Sequence, residues 1–192
     1  MFELLQLIVL FFVLFDPPAS LAVFFVATEG MSAIERKKTA LYAVLVAGLL
    51  SFGTLFFGEW LLKLFNTNIN DFRIAGGIVL IILGIRMALG YPLFEFSRTK
   101  KQNSSYAIAS LIATPLLTGP AVMTSTIIIR HDYGIFLTGL AISTVLLVTA
   151  LIFYNSQKIY NLFGRITSVI STFLGLVIIA WGVNFLRTAF GF

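Results

Sequence analysis

Asp16 stands in the middle of an apolar run from Leu4 to Ala27, followed at once by Pro17 and Pro18 and, one turn on, by Ser20. The run is long enough to cross a bilayer, where an aspartate costs about 2.5–3.5 kcal/mol on insertion scales. The two prolines remove two backbone donors and cannot continue the incoming helix. A lipid-facing segment does not tolerate this. A segment lining a protein cavity does, because the freed backbone groups find partners there. Asp16 before Pro17 also reads as a helix start, an acidic N-cap with Pro at the first helical position. The expectation is two half-helices meeting near the bilayer midplane, with the second N-terminus pointing inward.

A second stretch, Thr114-Pro115-Leu116-Leu117-Thr118-Gly119-Pro120, has the same character. Helix N-termini carry partial positive charge and free N–H groups, which suit a carboxylate. Asp16 can hold an ammonium group. Together they fit a small zwitterionic amino acid, with Ser20, Thr114 and Thr118 adding hydroxyl hydrogen bonds. Asp16 is the central acidic residue, hence the candidate for coupling to a proton. The plainer readings are compatible with these: Asp16 as a cap that only stabilises the break, and Thr118-Gly119-Pro120 as a kinked helix with Thr satisfying freed carbonyls.

Other chemistries are poorly provided for. There is no Cys and only one His, His131, so disulfides, Cys nucleophiles and multi-His metal sites are excluded. No Ser-His or paired-Asp arrangement points to an enzyme, and neither a metal nor a cofactor is expected. The net charge of +5 sits in short loops between apolar runs, so orientation in a membrane explains it better than nucleic acid does.

The elements that must position these residues are membrane spans. The chain has 192 residues, 59% of them hydrophobic and 11% charged, with mean hydropathy +1.00. That composition describes an all-α polytopic membrane protein. Six apolar spans are expected, roughly 3–27, 39–62, 72–91, 106–129, 134–154 and 166–188. Residues 4–15 resemble the apolar part of a signal peptide, but Glu3 replaces the basic start, and the segment is read as mature structure. Spans 1 and 4 are read as crossings, with re-entrant hairpins as the alternative. Ser32 and Glu35 form a capping-box pattern ahead of span 2, and Asn70-Asp71 can cap span 3. Glu59 and Lys63 read as a surface pair, His131-Asp132 as a solvated turn, and Tyr154–Arg165 as the last sizeable loop. Arg36, Lys37, Lys38, Arg98, Lys100, Lys101, Lys158 and Arg165 all fall in the loops after spans 1, 3 and 5. The positive-inside rule places those loops in the cytoplasm and both termini outside.

The chain repeats itself within one transmembrane domain. Leu14-Phe15-Asp16-Pro17-Pro18-Ala19 lines up with Leu116-Leu117-Thr118-Gly119-Pro120-Ala121, and the nine residues from Gly77 with the nine from Gly175. From Asp16 to Thr118 the offset is 102 residues, and from Gly77 to Gly175 it is 98. The repeats are 1–91 and 106–192, joined by a linker at 92–105. Each holds three spans, so the second is inverted, and spans 1 and 4 are interrupted near the midplane. Inverted repeats with paired broken helices are the pattern of secondary transporters. Gly76, Gly77, Gly84, Gly175 and Gly182 are expected at close helix contacts, with a rocking surface as the further reading. Arg86 and Asn184 hold equivalent positions, where Arg86 snorkels to the interface or the two take part in gating.

At Phe15-Asp16-Pro17, Thr28-Glu29-Gly30-Met31-Ser32, Phe72-Arg73-Ile74-Ala75-Gly76-Gly77 and Thr114–Pro120 the chain resembles the MarC family of bacterial and archaeal inner-membrane proteins, a branch of the LysE-like exporter superfamily. The resemblance runs nearly the whole length. It implies six helices and, as in some members, proton-coupled carriage of small neutral amino acids such as glycine and alanine. The family pattern has Gly at 19, Asn at 20, Pro at 22 and Gly at 121, where this chain has Ala19, Ser20, Ala22 and Ala121. These departures bear on pocket shape more than on fold.

The expected function is therefore a secondary transporter of small neutral amino acids, glycine-, alanine- or serine-like, working by alternating access. The alternative is a non-transporting membrane scaffold or assembly partner, against which the small loops speak. A channel suits one midplane Asp and opposed half-helices less well. Direction of transport and oligomeric state, a homo-oligomer included, stay open at this stage.

Overall fold

Every regular element among the described residues is an α-helix, as the apolar runs predict. A computed structural model describes residues 2–28, 30–90, 117–163 and 167–191. The helices are α1 (Phe2–Phe15), α2 (Pro17–Ala27), α3 (Ala33–Leu64), α4 (Ile69–Ala88), α5 (Pro120–Tyr154), α6 (Ser156–Phe163) and α7 (Thr167–Phe190). Four stretches are long and apolar enough to cross a membrane: Phe2–Phe25, Ala33–Leu64, Pro120–Tyr154 and Val169–Phe190. The first runs through the Asp16 break. α4, at 20 residues, is about 30 Å long. It carries Asp71, Arg73 and Arg86. The expected linker at 92–105 and the first half of span 4 lie outside the described residues.

The burial pattern is that of a protein solvated by lipid. The buried stripe of α3 is Ala40, Ala43, Ala47, Ser51, Leu55 and Gly58, mostly small residues at spacings of three and four. Its large side chains, among them Leu41, Leu45, Leu49, Phe56, Phe57 and Trp60, point outward. In lipid no hydrophobic gain drives large residues inward, so small residues that let backbones approach take the helix interfaces. At the centre is α1, with Leu7, Leu10, Phe11, Val13, Leu14 and Phe15 all buried. The most extensive helix pairing joins α4 to α7, and the next joins α3 to α5.

Several local expectations change. Ser32 does cap α3, accepting from the Glu35 N–H at 3.3 Å while Glu35 accepts from the Ser32 N–H at 2.9 Å. α4 starts earlier than expected, because Asn68 rather than Asn70 caps it, accepting from the Asp71 N–H at 2.9 Å. Most of the expected last loop is the short helix α6. Its polar residues Gln157, Lys158 and Asn161 alternate with apolar ones at helical spacing, an amphipathic pattern that a hydropathy count reads as loop. His131 is exposed, but Asp132 is no free turn residue: both lie within α5, and Asp132 forms an ion pair with Arg73 of α4. Glu59 reaches across to Arg130 of α5 at 3.5 Å instead of down its own helix to Lys63.

α5 is two arms, 120–133 and 135–154, meeting at Gly134, whose φ of 83° and ψ of 165° are not helical. The corner sits at the expected start of span 5. The second arm runs antiparallel to α3, so that a β-carbon on Gly139 would meet Leu55 and one on Gly48 would meet Leu146. The first arm lies between α3 and α4, with Ile127 against Gly58 of α3 and Thr124 and Ile128 against Gly76 of α4.

Candidate functional site

Asp16 is where the chain turns from α1 into α2, and its backbone is left-handed, with φ 39°. Few residues with a β-carbon adopt this conformation. Aspartate is among the tolerant ones because its short carboxylate bonds nearby backbone. Here Oδ1 accepts from the Ala19 N–H at 3.3 Å, so Asp16 caps α2 ahead of Pro17 as the residue order predicts. Ser20 donates its hydroxyl to the Phe15 carbonyl at 3.1 Å, replacing the Ala19 N–H that Asp16 Oδ1 has taken. Asp16 and Ser20 are only 2% and 1% exposed.

Ser171 of α7 donates a second hydrogen bond to Oδ1, at 3.3 Å. The other carboxylate oxygen, Oδ2, is buried and has no hydrogen-bond partner among the described residues. A buried oxygen of this kind is costly and calls for an explanation beyond capping.

At the second break, Leu117 and Thr118 are fully buried and Pro120 opens α5. Gly119 is the cap position and has no side chain to bond the first N–H groups of the helix. Pro17 and Pro18 stand inside α2 at the first break. Leu14, Phe15 and Leu21 from the first break and Leu117, Ala121 and Val122 from the second belong to one buried apolar cluster. Thr114 lies outside the described residues.

The expected glycines divide between two neighbours. Gly76 faces α5: a β-carbon there would lie 3.2 Å from Ile128 and 3.3 Å from Thr124. Gly77 faces α7, where a β-carbon would lie 2.8 Å from the Gly182 carbonyl oxygen. The companion contact is Gly84 with Gly175, where a β-carbon on Gly84 would lie 2.6 Å from the Gly175 carbonyl oxygen. Pairing of 77 with 182 and of 84 with 175 makes α4 and α7 antiparallel. Arg86 and Asn184, both exposed, then fall at opposite ends of the pair, about 16 Å apart along the axis at 1.5 Å per residue. The structure does not bring them together.

Sequence reasoning missed Ser171, Ser51 and Ser125. The last two are buried with their hydroxyl oxygens unpartnered among the described residues. Hydroxyls inside apolar spans were the available signal, but serine bonds its own helix so readily that the type alone does not discriminate. Also missed was the clamp at Arg130, which donates to the Leu55 and Phe56 carbonyls of α3.

The family model for MarC family integral membrane proteins matches residues 1–190. The chain belongs to the MarC family. Among its MarC relatives, a UPF0056 membrane protein of Buchnera aphidicola is 31% identical over 187 residues, covering 93% of this chain and 87% of the relative. One of Methanocaldococcus jannaschii is 32% identical over 186 residues, 90% and 88%. The UPF0056 membrane protein YhcE of Escherichia coli is 31% identical over 190 residues, 92% and 86%. No solved structure matches the chain. This MarC chain is thus an all-helical integral membrane protein that crosses the bilayer more than once. The Ala19 N–H and the Ser20 hydroxyl supply the bonds that close the first break.

Proposed function

We propose that the protein is a secondary transporter of small neutral amino acids, coupled to protons, with its site at the Asp16 break. The observation that carries this is the carboxylate of Asp16. It is buried in an apolar core, held through Oδ1 by Ala19 and Ser171, and without a partner at Oδ2 among the described residues. A buried ionisable group with one satisfied and one vacant oxygen is placed to take an ammonium group or a proton, and intramembrane carboxylates mark such pathways. At the start of α5, Pro120 has no N–H and the Val122 and Met123 N–H groups bond the Gly119 carbonyl, so the Ala121 N–H is the one offered to the substrate carboxylate.

The accompanying architecture is six spans in two inverted repeats, 1–91 and 106–192. The α4–α7 seam supports it. Under the 98-residue offset Gly77 corresponds to Gly175 and Gly84 to Gly182, and the contact Gly77–Gly182 then maps onto Gly175–Gly84. A two-fold axis in the membrane plane produces such an exchange. The chain would sit in the cytoplasmic membrane with both termini outside.

The test is uptake of labelled glycine, alanine and serine into proteoliposomes, with and without a pH gradient. Accumulation that rises with the gradient is expected for at least one of the three. A flat response across the panel removes the amino acid transport reading.

A further inference from the structure

Away from the breaks, a cleft of about 250 Å³ opens where the first turn of α3 meets the junction of α5 and α6. Its walls carry three cations, Arg36, Lys37 and Lys158, with Tyr154 and Gln157 among them. No carboxylate among the described residues forms an ion pair with any of the three. Glu35, the neighbour in sequence, turns its Oε2 to the Ser32 N–H at 2.9 Å and hydroxyl at 2.7 Å.

Neutral groups fix Arg36 and Lys37 instead. Arg36 donates to Gln157 and, at 3.4 Å, to the Thr28 carbonyl, and its guanidinium carbon lies 5.3 Å from the centre of the Phe25 ring. Its Nε is buried with no hydrogen-bond partner among the described residues. The Lys37 ammonium sits 4.4 Å from the centre of the Tyr154 ring. Aromatic faces and amides hold these side chains in place without neutralising them. Basic loops suffice to orient a chain in a membrane. They do not require that cations from the start of α3 and from α6 line one cleft, nor that Arg36 bond Gln157, 121 residues away and the sequence neighbour of Lys158.

The level of the cleft is that of lipid headgroups. After Ile34 in the first turn, the outward apolar side chains of α3 resume at Leu41, one turn past Lys37, and Leu151 is exposed one turn before Asn155. Tyr and Lys at such a boundary are interfacial anchors. We propose that this cleft binds the phosphodiester headgroup of an anionic phospholipid. Basic pockets between membrane helices take such headgroups, each cation near the surface contributing about fivefold in affinity. Inorganic phosphate shares the chemistry and is the competing source.

The purified full chain would be titrated with phosphatidylglycerol or phosphatidylcholine in mixed micelles and bound lipid read by native mass spectrometry. Phosphatidylglycerol is expected to bind in preference. Arg36→Gln should weaken it about fivefold, and Arg36→Gln with Lys158→Gln about 25-fold. Lys38→Gln, exposed on the same turn but outside the cleft, should leave binding within about twofold. Should the double variant fail to fold, Lys158→Arg against Lys158→Gln decides, the first retaining binding and the second losing it. Equal binding of the two lipids, or an equal loss in Lys38→Gln, overturns the proposal. Displacement of the lipid by an excess of inorganic phosphate overturns it too, by assigning the cleft to a soluble anion.

Discussion

At the scale of the residue, Asp16 joins two tasks that are separable by mutation. Its Oδ1 caps α2, and an asparagine keeps an oxygen there for Ala19 and Ser171. Its charge is what Oδ2, without a partner among the described residues, presents to the core. Asp16→Asn is therefore expected to fold with a thermal midpoint close to that of the parent and to lose at least tenfold in proteoliposome uptake. Unchanged uptake would remove the carboxylate from the mechanism. Ser171→Ala leaves Oδ1 with one donor fewer, a loss of about 1 kcal/mol of anchoring, and uptake is expected to fall by roughly fivefold. Ser171→Thr, which keeps the hydroxyl, should restore it. Asp16, Pro17 and Ser20 were legible because a charge and two prolines in an apolar run break local rules. Ser171 was not, since its bond to Asp16 spans 155 residues and nothing local marks it.

At the scale of the element, the decisive packing is backbone against backbone. A β-carbon on Gly84 would lie 2.6 Å from the Gly175 carbonyl oxygen, an atom that moves only if a helix moves. Gly84→Ala is expected to destabilise the detergent-solubilised protein by about 1–3 kcal/mol, read as a lowered thermal midpoint. Gly53 on α3 has open space at the same position, so Gly53→Ala should instead stabilise by about 0.5–1 kcal/mol. A second element contact is the ion pair of Arg73, 7% exposed at its side chain, with Asp132. Arg73→Gln should cost about 1–3 kcal/mol, because it leaves a half-buried carboxylate without its cation. The matched glycines were visible as a pattern. That Gly76 would serve α5 and Gly77 α7 was not, because successive helical residues point about 100° apart and only tertiary placement says which neighbour stands on each side.

At the scale of the whole molecule, the charge distribution and the absence of cysteine make orientation directly measurable. Lys38 and His131 are both exposed and lie on opposite faces of the proposed arrangement. In intact cells a membrane-impermeant maleimide is expected to label His131→Cys and to reach Lys38→Cys only after permeabilisation. The reverse pattern would invert the chain. Length and hydropathy sufficed to read a polytopic helical protein. They did not separate α6 from a loop, nor see that the two arms of α5 part company around a single residue. That residue, Gly134, has open space where a side chain would stand, so crowding does not select it. Its dihedrals fall where only an achiral residue is at ease, or one of the opposite hand. A semisynthetic chain with D-alanine there should therefore keep the corner that L-alanine would flatten. The path of the polypeptide across the bilayer thus hangs, at one point, on stereochemistry and not on size.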